Sequence, residues 1–63
     1  MMNYKFQIKD DKADEVIING ALVVEHKTEV VDVAMDVARQ LRMKDERLTI
    51  RDYDDGLIVI GIE

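Results

Sequence analysis

The chain contains no cysteine and a single histidine, so neither a disulfide framework nor a thiolate metal site is open to it, and a lone His26 has no partners with which to hold zinc. No apolar run approaches the roughly 20 residues that span a bilayer, and the opening MMNYKFQIKD has no apolar h-region. A cytoplasmic protein is the expectation. The motifs G-x-x-x-x-G-K, G-x-G-x-x-G, G-x-S-x-G and H-E-x-x-H are all missing, which removes the familiar routes to phosphate binding, dinucleotide binding and covalent catalysis. Paired carboxylates occur at Asp10/Asp11 and Asp54/Asp55, but in polar turns with no apolar surroundings to make either a general acid. The EF-hand spacing D-x-D-x-D-G is absent as well. His26 reads as a strand-end residue, because no nucleophile or orienting motif lies near it. The expectation is a protein that is not an enzyme and uses no cofactor, metal or small-molecule substrate.

Length is also in short supply. A domain of 63 residues buries only about 60% of the surface its unfolded chain exposes and is marginal alone. Without disulfides or metal, oligomerisation is the remaining way to supplement the core.

What is present is organised around Thr28 to Met43, TEVVDVAMDVARQLRM, whose apolar spacing predicts an amphipathic helix. Val30, Ala34, Val37, Ala38 and Leu41 share one side, widened by Val31, Val33 and Met35. Glu29, Asp32, Asp36, Arg39 and Gln40 lie opposite. Thr28 reads as the N-cap, with acids in the first turns and Arg39, Arg42 and Lys44 at the end, as the helix dipole favours.

Before the helix, Tyr4, Phe6 and Ile8 alternate with Lys5, Gln7 and Lys9, predicting a strand over Asn3 to Lys9 with one apolar and one basic face. Asp10 to Glu15 is a polar loop. Over 16–24, Asn19-Gly20 suits a type I′ hairpin turn, with one bulged long strand as the alternative. In either reading Val16, Ile18, Ala21 and Val23 point one way and Ile17, Leu22 and Val24 the other. After a short KDE connection, Arg47 to Ile62 forms a hairpin. A three-residue Asp54-Asp55-Gly56 turn with Gly56 left-handed collects Leu48, Ile50, Ile58, Ile60 and Ile62 on one face and leaves Thr49, Arg51, Tyr53, Leu57 and Val59 on the reverse. Gly61 falls on that reverse face, where it permits a close approach.

The expectation is a single α+β domain, an antiparallel sheet of four to five strands with one helix on one face. A helix of about 24 Å covers one face of such a sheet and no more. Ile17, Leu22, Val24, Leu57 and Val59 are then left to be buried in a homodimer.

Fourteen Asp and Glu against nine Lys and Arg give a charge of −5, which disfavours nucleic acid and anionic membranes and favours a cationic partner. Glu29, Asp32 and Asp36 climb the helix in steps of about 4.5 and 6 Å, comparable to phosphate spacing along a nucleic-acid strand. The same stripe is also what an ordinary solvated helix face looks like. In size, acidity and missing chemistry the chain resembles the small phage-encoded proteins that imitate DNA and block DNA-binding proteins, including nucleoid proteins such as HU. The resemblance implies a dimeric inhibitor in the host cytoplasm; the charge pattern of this chain makes Glu29, Asp32 and Asp36 the candidate phosphate surrogates, with Asp10, Asp11, Asp14, Asp54 and Asp55 as extensions. A second reading uses Arg39, Arg42, Lys44, Arg47 and Arg51, five bases against Asp45 and Glu46, to bind nucleic acid directly as a small regulator. Only Tyr53 is nearby as an aromatic, and no DNA-reading motif is present. A third is an accessory assembly module whose acidity merely keeps it soluble.

Overall fold

A computed structural model of the chain describes residues 1–42, 47–53 and 55–63. Among these residues four strands, β1 (Met2–Asp10), β2 (Glu15–Val24), β3 (Leu48–Tyr53) and β4 (Leu57–Ile62), and one helix, α1 (Lys27–Leu41), follow in the order ββαββ. The sheet runs β2-β1-β4-β3. β1 and β2 are antiparallel neighbours, as are β3 and β4, but the two halves join through a parallel β1/β4 pair. The sheet is therefore mixed, which corrects the antiparallel expectation. The reason is topological: α1 carries the chain from one end of the sheet to the other, so the second hairpin returns with its last strand beside β1 and in the same direction.

Alternation in β1 does what its sequence dictates. Tyr4, Phe6 and Ile8 face the helix and are buried, with Lys5 exposed on the opposite side. β4 is apolar along nearly its whole length, LIVIGI, and lies between β1 and β3 with Ile58 to Ile62 buried. Ile8, Ile58, Ile60 and Val30 are the largest fully buried side chains, each worth about 1.5–3 kcal/mol of burial. Val30, Ala34 and Ala38 form the buried line of α1, and Tyr4, Phe6, Val24 and Ile62 complete the core. Small Ala34 and Ala38 permit close packing of the helix on the sheet.

The β3/β4 register is the expected one, Leu48 opposite Ile62, Ile50 opposite Ile60 and Tyr53 opposite Leu57, with Gly56 at φ +86°. Ile50 faces the helix layer but sits on the outer strand beyond its cover and stays half-exposed.

The segment 16–24 is one long strand with a bulge, and no hairpin turn occurs at Asn19-Gly20. Ile8 pairs with Ile18 while Lys9 pairs with Val16, so Ile17 is the extra residue. Without the turn, parity is continuous from Ile18 onward: Ile18, Gly20, Leu22 and Val24 stand opposite Ile8, Phe6, Tyr4 and Met2 on the helix side. Asn19, Ala21 and Val23 take the other face. Leu22 and Val24, expected on the open face, thus belong to the helix-covered side, and Ile18 does not share a face with Ala21 and Val23. A two-residue turn would have inverted the face of everything after it. What favours the straight strand is the Phe6 ring, which lies over Gly20, closer to the position of a Cβ there than the 3.0 Å that real contacts keep.

The helix starts at Lys27, with His26 in place of Thr28 as N-cap. The Glu29 carboxylate accepts hydrogen bonds from the backbone N–H groups of His26 at 3.1 Å and Glu25 at 2.9 Å, satisfying donors at the helix entrance. Its C-terminal boundary is Leu41; Met43, expected to end it, and the 44–46 connection fall outside the described residues.

Candidate functional site

The carboxylates expected to meet a partner separate into three places. Glu29, Asp32 and Asp36 lie along the exposed side of α1. Asp10, Asp11 and Asp14 belong to the β1/β2 turn at one end of the sheet, and Asp55 to the β3/β4 turn at the other, in a molecule 35 Å long. Asp54 lies outside the described residues. The turns therefore do not extend one stripe; of the described turn acids, Asp55 alone shares an end with the N-terminus of α1.

Most of these acids already have work inside the chain. Glu29 caps the helix, and the backbone N–H groups of His26 and then Glu25 hold its carboxyl below the ordinary value. Asp10 accepts from the backbone N–H groups of Lys12 and Ala13 and closes the turn. Asp14, at φ 56°, pairs with Lys9 at 2.6 Å; hydrogen bonding and charge attraction within that pair lower the carboxyl and raise the ammonium. Asp36 pairs with Arg39 one turn along the helix at 3.1 Å. Asp32 and Asp55 are exposed and have no ion pair among the described residues.

Asp11 is largely covered, its side chain 17% exposed. Its Oδ2 accepts from Thr49 Oγ1 at 3.4 Å and stands 3.5 Å from the Arg51 guanidinium, so the β1/β2 turn reaches across β4 to β3. Gly61 makes this passage possible, because a Cβ there would collide with both the Asp11 carboxylate and the Thr49 hydroxyl. The close approach expected at Gly61 is thus an intramolecular clasp.

Of the basic set, Arg39 and Arg51 are held by Asp36 and Asp11. Arg42 and Arg47 are exposed near the C-terminal end of α1 and the start of β3, and Lys44 lies outside the described residues. A further pair, Lys27 with Asp52, links the first turn of α1 to β3.

The uncovered face of the sheet is more polar than expected. Asn3, Lys5, Gln7 and Lys9 of β1 line its middle, with Asn19 on β2 and Thr49 and Arg51 on β3. Val59 on this face stands in register between Gln7 and Arg51 and is 5% exposed in the single chain. Leu57 is half-buried and Ile17 exposed. A depression of about 470 Å³ crosses this face between Asn3, Lys5, Gln7, Ala21, Val23 and Leu57. Its floor holds amides and one ammonium, with no nucleophile paired to a base. Among the described residues no three His, Asp or Glu come close enough to hold a metal ion, and no helix is long and apolar enough to cross a membrane.

Sequence reasoning missed the second use of Glu29. The Glu three residues after His26 was a signal for it, obscured because Thr28 is the stronger N-cap type. Comparison with protein-family models, curated proteins and solved structures finds no match to this chain.

Proposed function

We propose that the protein is a non-enzymatic, acidic interaction module that occupies the DNA-binding surface of a basic protein, for example a nucleoid protein such as HU, through the solvent side of α1. The observation that carries this reading is the placement of Asp32 and Asp36 opposite the buried Val30, Ala34 and Ala38 on a chain of net charge −5. Charge there adds nothing to the core, and Asp32 forms no ion pair among the described residues. The contact set is narrower than the sequence suggested. Asp32 leads, Asp36 joins it by exchanging Arg39 for a partner cation, and Asp55 extends the field at the N-terminal end of the helix. Glu29 contributes charge while remaining the cap.

The test is a competition. A fluorescently labelled DNA duplex bound to HU loses polarisation as the protein displaces it, and the effect weakens with salt over a Debye length of about 8–10 Å. Asp32→Lys with Asp36→Lys abolishes displacement while circular dichroism stays unchanged. Full displacement by the folded double variant would refute the helix-face reading. A rise in polarisation of DNA mixed with the protein alone would favour direct nucleic-acid binding through Arg42, Arg47 and their neighbours.

A further inference from the structure

We propose that the free edge of β2 pairs antiparallel with β2 of a second copy, joining two four-stranded sheets into one across a two-fold axis. This assembly surface is separate from the acidic helix face and differs from the open sheet face that the sequence suggested.

The backbone supplies the first argument. Lys5 donates its N–H to the carbonyl of Gly56, the residue just before β4, at 2.8 Å, and backbone groups alternate in direction along a strand. Tyr4, Phe6 and Ile8 therefore turn theirs toward β2, where Leu22, Gly20 and Ile18 are their partners. By the same alternation Asn19, Ala21 and Val23 direct N–H and C=O outward, to the edge of the sheet.

The side chains supply the second. β2 is ten residues long and bears no charged residue from Val16 to Val24. Three of its large apolar side chains are exposed, Val16 at 45%, Ile17 at 47% and Val23 at 63%. The other edge is guarded: β3 has six residues, carries Arg51 and Asp52, and is bound by ion pairs to Asp11 and Lys27. Short length and charge are the usual protections of an edge, whereas β2 is long and carries its one charge at its first residue, Glu15. The folded chain exposes 4491 Å², whereas a monomer of this mass typically exposes about 4,200 Å².

The occupant follows from the pattern. A two-fold axis at Gly20 sets Ile17 opposite Val23 of the second copy and Asn19 opposite Ala21, so one operation covers the exposed apolar residues of both strands and pairs the outward backbone groups of Asn19 and Ala21. Glu15 and Glu25 flank the strip. A slip of two residues either way brings Val23 against Glu15 or Ile17 against Glu25, which disfavours neighbouring registers. Two chains of charge −5 repel over most of their surfaces, and this neutral strip lets them meet without facing like charges at its centre.

Sedimentation equilibrium across the micromolar range tests the proposal, with amide hydrogen exchange on the same samples. The wild type should sediment at twice its 7.3 kDa mass, and the Asn19 and Ala21 amides should gain protection as concentration rises. Val23→Lys puts a charge on the edge without touching the core, and Ala21→Pro removes one outward N–H while leaving the β1/β2 ladder its donors. Both should be folded monomers by circular dichroism. If Ala21→Pro does not fold, Val23→Lys decides alone. A folded wild-type monomer at the highest concentration overturns self-association altogether. A dimer that persists in Val23→Lys, with Asn19 and Ala21 exchanging freely, overturns the edge and locates the contact on another surface.

Discussion

Replacing Gly20 with alanine tests the packing that keeps β2 straight. The new Cβ would point to the helix side and enter the space of the Phe6 ring, which is 7% exposed and part of the buried cluster. The ring has two torsions, and moving it disturbs the packing of that cluster, an overpacking cost of about 1–3 kcal/mol. Alanine also restricts the unfolded chain, which returns about 0.4–1 kcal/mol. The net expectation is a loss of about 1–2 kcal/mol from a domain whose whole stability is on the order of 3–9 kcal/mol. At about 4–8 °C per kcal/mol for a chain of this size, the thermal midpoint should fall by roughly 5–15 °C. Circular dichroism melts at one fixed protein concentration measure it, since association would otherwise shift the midpoint. A double-mutant cycle with Phe6→Leu isolates the cause: with leucine at position 6 the alanine should become neutral or stabilising, a coupling that distant residues do not show. A Gly20→Ala protein that melts at or above the wild-type temperature would refute the ring-on-glycine account.

Further outcomes follow from the clasp and the cap. Gly61→Ala should destabilise the fold by forcing Asp11 away from Thr49 and Arg51, and Asp11→Ala should relieve much of that loss in the double variant; equal loss in both backgrounds, read from denaturant midpoints, counts against the clasp. Glu29→Ala should lower the melting temperature at neutral pH. Because the Glu29 carboxyl is held below its ordinary 4.5, its contribution is present above that value and is lost as pH falls through the lower folded value, so the gap from wild type should close in acid. A gap that is constant from neutral to acid pH would show that the ionised carboxylate is not what caps the helix.

The helix and the second hairpin were legible in the sequence because each rests on a dense local pattern. Val30, Ala34 and Ala38 repeat at helical spacing, and the three-residue turn ending at Gly56 gathers Leu48, Ile50, Ile58, Ile60 and Ile62 on a single face. Asn19-Gly20 misled for an equally physical reason. The dipeptide satisfies a hairpin turn locally, but its glycine is there to sit beneath an aromatic ring fourteen positions earlier in the chain, a long-range demand that local pattern does not carry. The parallel join of β1 to β4 was hidden likewise, although the apolar run of β4 on both faces is what a central strand requires. Of the acidic residues, the sequence supplied their number but not their engagements: Glu29, Asp10, Asp11, Asp14 and Asp36 each meet a partner only once the chain has folded.

The parallel seam between β1 and β4 bears on how the chain is made. Strands β1 and β4 are neighbours at the middle of the sheet but are separated in sequence by β2, α1 and β3, so a ribosome must make and release all of these elements before the central pairing can form. The hairpin of β1 and β2 is made before the rest, but a two-stranded hairpin alone is marginal in water, and the uncharged 16–24 stretch of β2 leaves the exit tunnel long before β4 is available. Closure across so much sequence makes folding slower than local pairing would. During translation the acidic turn at Asp10 to Glu15 and the charged helix after β2 are then the nearest safeguards keeping neighbouring nascent chains apart.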